Sequence, residues 1–367
     1  MRVLVVNAGS SSLKLTLLDG DDGVIASREL DAPRAQVDPG ELREAMGSQL
    51  GETDTIGHRI VHGGERYRHA VTIDAGVREV LGGLVELAPL HQPKSLAALD
   101  AVSAALPGLP AVACFDTAFH ATLPAAASTY ALPAEWRERW GLKRYGFHGL
   151  SHGWVARRAP HMLGREPTGL RIVSCHLGAG ASLCAIADGR SLDTTMGFTP
   201  LEGLVMATRS GSVDPGMLLW LAGQEDLTIV ELEDALEHRS GLLGLAGTAD
   251  MREITARAHA GDERAGLALD VYVHRLRGGI AAMVAALGGL DALVFTGGVG
   301  EHSAEVRARA AEGIGFLDVA VDEAANRDAS GDADVSTTAA RVRTLVIVAR
   351  EDVEIARQTR AVLTPDL

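Results

Sequence analysis

Several short stretches of this chain combine small residues with cations or carboxylates. Asn7, Gly9, Ser10 and Ser12 share one turn, with Lys14 just beyond it. Backbone N–H groups and hydroxyls in such a turn can surround a phosphate or a magnesium-bound water. The same composition suits an ordinary hairpin turn. HRIVHGGERY sets His58, Arg59 and His62 beside a double glycine, the make-up of an anion clamp or of a charged loop. Asp116 leaves a buried-type strand in CFDTAFH. Side chains there point into α/β clefts, and aspartates there also cap helices. KRYGFHGLSH carries Lys143, Arg144, His148 and His152. Gly146 and Gly149 interrupt a regular helix and no carboxylate accompanies the histidines, so a role beside phosphate fits better than metal ligation. HLGAGAS repeats the small-residue turn with His176 at its entrance, and Arg209 stands in the polar loop MGFTPLEGLVMATRSGSVDP. TGGVGEH follows a short apolar strand; it is neither GxGxxG nor a P-loop, which disfavours Rossmann and Walker-type sites.

The elements that must carry these residues repeat. VLVVNAGSSSLKLTLLDGDDG from Val3 and IVSCHLGAGASLCAIADGRS from Ile172 share one order: strand, small-residue turn, strand, Asp-Gly turn, strand. Strands are expected over residues 2–6, 13–18, 24–30, 55–61, 111–115, 293–296 and 342–348, with three more between 171 and 195. Helices are expected over 77–87, 96–106, 216–222, 228–237, 265–286 and 353–362, from Ser151 as an N-cap to 163, and from 303. Residues 31–51 read as a loop and a short helix, and 124–144 as irregular. Alternation after each three-strand opening points to an α/β architecture built twice.

Composition narrows the function classes. A chain of 367 residues is long enough for two domains. With 47% apolar and 22% charged residues it can build substantial cores. A net charge of −14 argues against a nucleic-acid or anionic-membrane partner. Cys114, Cys175 and Cys184 form no CxxC or Cys/His ligand spacing and read as buried thiols of a reducing cytosol. The opening apolar run is too short for a signal peptide, and no run approaches the ~18 apolar residues of a membrane span. A soluble, cytoplasmic protein is expected.

With these motifs in order, the chain resembles the acetate kinase family, which includes propionate kinases, from end to end. NAGSSSLK, HRIVHGGE, LAPLH, FDTAFH, RYGFHGLSH, HLGAGAS, MGFTPLEGLVMATRSGSVDP, GGVGEH and REDVEIAR carry the resemblance. It implies an α/β fold of two duplicated ribonuclease-H-like domains, as in actin-like ATPases, with a nucleotide cleft between them. It implies domains over 1–120 plus 353–367 and over 121–352. It implies reversible, in-line transfer of the γ-phosphoryl group of ATP to acetate with Mg2+, giving acetyl phosphate and ADP, in a homodimer. Propionate or another short-chain carboxylate is the alternative acceptor; a sugar kinase or a non-catalytic nucleotide-binding protein of the superfamily is more remote.

Residue by residue, the resemblance implies Asn7 and Glu351 near Mg2+. Arg59 and Arg209 would hold the carboxylate and the transferring phosphoryl group, His148 would stabilise that group in flight, and Asp116 would support the constellation. Ser10, Ser12, Lys14 and His176 would lie around the phosphates. His176, Leu177, Gly178, Ala179 and Gly180 would bind nucleotide together with Asp250, Met251, Arg252, Gly297, Gly298, Val299, Gly300 and Glu301. Val61, Leu90, Phe147 and Pro200 match the apolar pocket for the acyl methyl. The residue types suit the reaction: a carboxylate is already ionised at neutral pH and needs no general base, so the difficulty is repulsion from the phosphates. The chain departs from the family pattern at Ala179, where the family has Asn, at His302 in GEH for GEN, at LHQPKS for LHNPxN and at REDV for NEEL. It is also shorter than usual between Val24 and His58.

Overall fold

The computed structural model describes residues 1–9, 12–31, 40, 47, 53–88 and 92–364. Ser10, Leu90, the Ser12 side chain and most of the expected loop and helix over 31–51 lie outside the described residues. The chain divides into two compact units: Met1–Ala121 with Phe147–Trp154 and Arg350–Leu367, and Thr122–Gly146 with Val155–Ala349.

The first unit is built on a six-stranded mixed sheet. Strands β1 (Val3–Ala8), β2 (Ser12–Leu18) and β3 (Val24–Asp31) form an antiparallel meander. Strands β4 (Thr55–Ile60) and β6 (Ala111–Phe115) add in parallel beside β1, and the two-residue β5 (Val71–Thr72) closes the edge. The order is β3-β2-β1-β4-β6-β5. Both faces are covered, which is why β1 reads as an unbroken apolar run rather than an alternating one. Leu4 and Val6 join the cluster that holds Ala98 and Val102 of the helix Gln92–Ala105. Val3 and Val5 join the cluster of Val353, Ile355 and Ala356 from the helix Glu351–Leu363. That last helix lies so close to β4 that a Cβ on Gly57 would stand 2.6 Å from Ile355 Cγ2.

The second unit repeats the plan. Strands β7 (Arg171–Leu177), β8 (Ala181–Ala187) and β9 (Arg190–Thr194) form the meander, with Asp188 and Gly189 both left-handed in its second turn (φ 52° and 73°). Strands β10 (Ala292–Thr296) and β12 (Arg343–Val346) add in parallel, and β11 (Ala333–Asp334) pairs antiparallel at the edge. The order β9-β8-β7-β10-β12-β11 matches the first sheet strand for strand. The helix Glu263–Leu287 packs across the meander.

Three expectations change. The helix expected over 77–87 is Ala75–Gly83 followed by a 3-10 turn, Val85–Leu87, because the Leu84 N–H turns back to the carbonyls of Leu81 and Gly82. The helix expected from Ser151 begins at Gly149 instead, and Ser151 is buried inside it. Its start is set by a tertiary bond, Gly149 N–H to the Asp116 carbonyl at 2.9 Å, so close that a Cβ there would sit 2.2 Å from that oxygen. The irregular stretch 124–144 contains two short helices, Ala125–Ser128 and Ala134–Trp140, each directly after a proline. No helix among the described residues is long and apolar enough to cross a membrane. All three cysteines are buried free thiols, and burial pushes Cys114 and Cys184 up to about 12, which leaves them unreactive.

His58, on β4 beside Arg59, is 1% exposed, and burial lowers its pKa to about 4. The folded imidazole stays neutral in a range where the unfolded one, titrating near its ordinary value, takes up a proton. Stability from this group is therefore fully present above the unfolded pKa and is lost as pH falls toward the folded one. The loss approaches about 1.4 kcal/mol per pH unit in that window. Urea unfolding at pH 7.5, 6 and 5 is expected to show a smaller pH slope in His58→Gln than in the parent chain; equal slopes would contradict the assignment.

Candidate active site

The parallel strands β1, β4 and β6 end side by side, and Asn7, Arg59 and Asp116 at their ends fall into line with Glu351 of the last helix. Glu351, at the start of the last helix, accepts from Asn7 Nδ2 at 3.3 Å. Asn7 Oδ1 accepts from Arg59 Nη1 at 3.1 Å. Arg59 then grips Asp116 with a fork, Nη2 to Oδ2 at 2.7 Å and Nε to Oδ1 at 3.1 Å. Asp116 is 1% exposed, and its own N–H bonds to the Ile60 carbonyl at 3.0 Å. Burial works against the Arg59 charge, but the charges of Asp116 and Glu351 outweigh it and raise its pKa. Register adds Lys14 of β2, directly opposite Asn7 and exposed. So Asn7, Lys14, Arg59 and Asp116, at one end of neighbouring strands, and Glu351, at the start of the helix packed across them, come together from far apart in sequence.

Phe147 and His148 belong to the same unit. Phe147 is buried, its carbonyl 2.9 Å from His120 Nε2 and its ring edge-on to His62 at 5.6 Å. His148 takes the left-handed region at φ 56°, an unusual conformation for a residue with a Cβ and one found at functional sites. Buried Val61 follows β4. The segment after it is fixed by Gln92, which accepts from the His62 N–H and donates to the His62 carbonyl, both at 3.1 Å. Gln92 lies in LHQPKS, where sequence reasoning saw only a departure from pattern.

In the second unit, Arg209 and Pro200 meet: Arg209 Nη1 donates to the Pro200 carbonyl at 3.0 Å. Arg209 Nε faces Glu237 Oε2 at 3.4 Å. Burial lowers the Arg209 pKa against the opposing pull of Glu237, and burial raises that of Glu237. Glu237 was not foreseen, since it stands in an ordinary amphipathic helix, Ile229–His238. The same unit holds a cavity of about 800 Å3, lined by Gly178, Ala179, Asp250, Met251, Arg252, Gly298 and Val299 among the residues expected to bind nucleotide. His302, noted in the sequence as the departure GEH for GEN, also lines it, and so do Thr255, His259 and Glu305, which the sequence reading did not single out. His176, Leu177, Gly180, Gly297, Gly300 and Glu301 are not among its lining residues. Leu177 is buried in the core, and Gly297 takes φ 79° with no room for a Cβ against the Leu177 carbonyl. Asp250 caps the helix Met251–His259 and pairs with Arg252, whose guanidinium lowers it to about 2.

No group of three or more His, Cys, Asp or Glu side chains able to hold a metal occurs among the described residues. Magnesium does not need one: it binds through one or two protein oxygens, phosphates and waters. The Glu351 carboxylate and the Asn7 amide oxygen are hard donors of that kind; here Asn7 Nδ2 donates to Glu351 while Asn7 Oδ1 accepts from Arg59.

A model of the acetokinase family matches residues 39–357. The acetate kinase of Nostoc punctiforme (strain ATCC 29133 / PCC 73102) is 50% identical over 316 residues, 86% of this chain and 78% of the relative. That of Gloeobacter violaceus (strain ATCC 29082 / PCC 7421) is 45% identical over 399 aligned positions, 98% of each. Among solved structures, Porphyromonas gingivalis acetate kinase covers 99% of each chain at 36% identity with a TM-score of 0.90. A propionate kinase from Francisella tularensis subsp. tularensis SCHU S4 is 33% identical, covers 97% of this chain and 98% of its own, and has a TM-score of 0.90. The fold is thus that of the two-domain α/β kinases. The chain belongs to the acetokinase family.

Asp116→Asn removes the charge that balances a mostly buried guanidinium. Breaking such a pair from one side costs about 3–5 kcal/mol. Urea unfolding is expected to show a loss of that order; a loss under about 0.5 kcal/mol, the scale of an exposed pair, would mean the fork contributes no more than a surface contact.

Proposed function

We propose that this protein is an acetate kinase, transferring the γ-phosphoryl group of ATP reversibly and in line to acetate. The observation that carries the proposal is the line Glu351–Asn7–Arg59–Asp116 in a chain of the acetokinase family. In this reading Asp116 orients Arg59, and Arg59 with Arg209 neutralises the acetate carboxylate and the phosphoryl oxygens. A carboxylate oxygen forms the new bond to phosphorus as the bond to the ADP oxygen breaks. No proton moves, because the nucleophile is ionised from the start. His148 donates to the transferring group, whose charge is spread over its equatorial oxygens in the transition state. Asn7 and Glu351 would hold Mg2+, which screens the phosphates. Lys14, Ser10, Ser12 and His176 serve the phosphates, and the turns His176–Gly180 and Gly297–Glu301 with Asp250, Met251 and Arg252 serve the nucleotide. The family pattern assigns Val61, Leu90, Phe147 and Pro200 to the methyl pocket. The domain limits 1–120 plus 353–367 and 121–352 belong to the same proposal.

A hydroxamate assay with Mg2+-ATP and acetate, propionate or butyrate tests this reading. Acetate is expected to give the highest kcat/KM, and no acyl phosphate from any of the three would overturn it. Val61→Ala, which trims an isopropyl side chain to a methyl and so leaves room for a longer acyl chain, is expected to move the propionate-to-acetate ratio upward by about tenfold or more.

We also propose a cytoplasmic homodimer. Leu219 and Trp220 on the helix Pro215–Ala222 are 77% and 65% exposed, and Ile229 and Val230 on the adjoining helix Ile229–His238 are 64% and 73% exposed. Such a patch supports a protein interface. Light scattering is expected to give twice the mass of the chain; a monomer at all concentrations would refute the dimer.

A further inference from the structure

The cavity in the second unit has a rear wall whose support none of the phosphate-binding motifs explains. Residues 298, 299 and 302–305 line it. Behind them lies Arg307 of the helix Ala304–Glu312, only 1% exposed. Its Nη1 donates to the carbonyls of Gly300 at 2.9 Å and Glu301 at 2.7 Å. Its Nε donates to Asn326 Oδ1 and its Nη2 to the Asn326 carbonyl, both at 2.6 Å. Asn326, itself 3% exposed, donates from Nδ2 to the carbonyl of Ala304 at 2.8 Å. All these acceptors are uncharged oxygens.

A guanidinium is expensive to bury against neutral partners, and well-packed apolar residues often replace buried charges without loss of stability. The arrangement therefore asks for a reason other than stability. Its geometry supplies one. The short helix Gly297–His302 ends with carbonyls that lack intrahelical partners, and a planar fork collects them where a single ammonium cannot. At the other end of the same turn, Glu301 Oε1 accepts from the N–H groups of Gly297 at 2.9 Å and Ala349 at 3.0 Å. The turn is thus held from both ends, and its open side faces the cavity.

We infer that Arg307, braced by Asn326, is a positioning residue for nucleotide binding: it holds the backbone of residues 298–305 in the shape that receives a nucleoside diphosphate. The inference rests on reading this cavity as the nucleotide site. The full chain is titrated calorimetrically with Mg2+-ADP, and steady-state KM values are measured for ATP and acetate, in the parent, Arg307→Lys and Asn326→Ala. The parent is expected to bind ADP. The variants are expected to lose about tenfold in ADP affinity, the effect of one charge-assisted bond, with KM for ATP rising in step and KM for acetate within twofold. A folded variant of either kind that binds ADP as the parent does overturns the inference, as does an equal rise in both KM values. Should Arg307→Lys not fold, Asn326→Ala decides by the same criteria; failure of both to fold makes the bracket purely structural and also overturns it. Absence of ADP binding by the parent instead removes the nucleotide reading beneath it.

Discussion

A mostly buried arginine constrains the first unit more than any other residue. Arg59 carries a full charge in a place where burial opposes it, and only the Asp116 fork and the nearby Glu351 make that charge tolerable. Each partner in turn demands a piece of architecture. Asp116 must leave β6 beside the end of β4, which the parallel register of Arg59 with Cys114 provides. Asn7 must end β1 on the other side of β4, and Glu351 must open a helix packed across the same sheet. Gly57 lets that helix approach, and Gly149 lets the segment with His148 bond to the Asp116 carbonyl. The core is shaped around these approaches as much as around apolar area.

The two sheets allow a direct comparison of positions. In the first, Asn7 stands opposite Lys14 and one step past the pairing of Val6 with His58, hence level with Arg59. In the second, His176 stands opposite Ser182 and level with Thr296. The same three lattice points hold Asn, Lys and Arg in one unit and His, Ser and Thr in the other. One frame thus supports two electrostatic environments. A strand order repeated in both sheets fixes where side chains emerge, and residue type alone decides whether the place carries charge or leaves room beside a turn.

This division explains what could be read from the residues in advance. The meanders, the parallel strands and the amphipathic helices have periodic or unbroken apolar patterns long enough to register, and the small-residue turns mark themselves by composition. Strands β5 and β11, two residues each, are too short to carry a period. The start of the helix at Gly149 depends on an oxygen 33 positions away, at Asp116, which no local signal encodes. Supporting polar residues were the least visible. Glu237 looks like any helix-surface acid until it meets Arg209. Tyr130 and Glu202, bonded at 2.5 Å, brace Arg144 and crowd Gly197 so closely that it admits no side chain, yet Tyr130 comes from a stretch that reads as irregular. Glu237 and Tyr130 support other side chains from outside the recognisable motifs, whereas Asp116 and Glu202 do so from inside them.

The unit bearing Arg59 is assembled from three separate stretches, the last being Arg350–Leu367. Its core cluster of Val3, Val5 and Val112 is not filled until Val353, Ile355 and Ala356 arrive. During synthesis, which releases the chain from the N-terminus at about 5–20 residues per second, the first strands to emerge must wait for the final helix. The second unit, complete at Ala349, closes its sheet first. A chain truncated before Glu351 would therefore keep the cavity-bearing half while leaving the arginine-bearing sheet bare on one face.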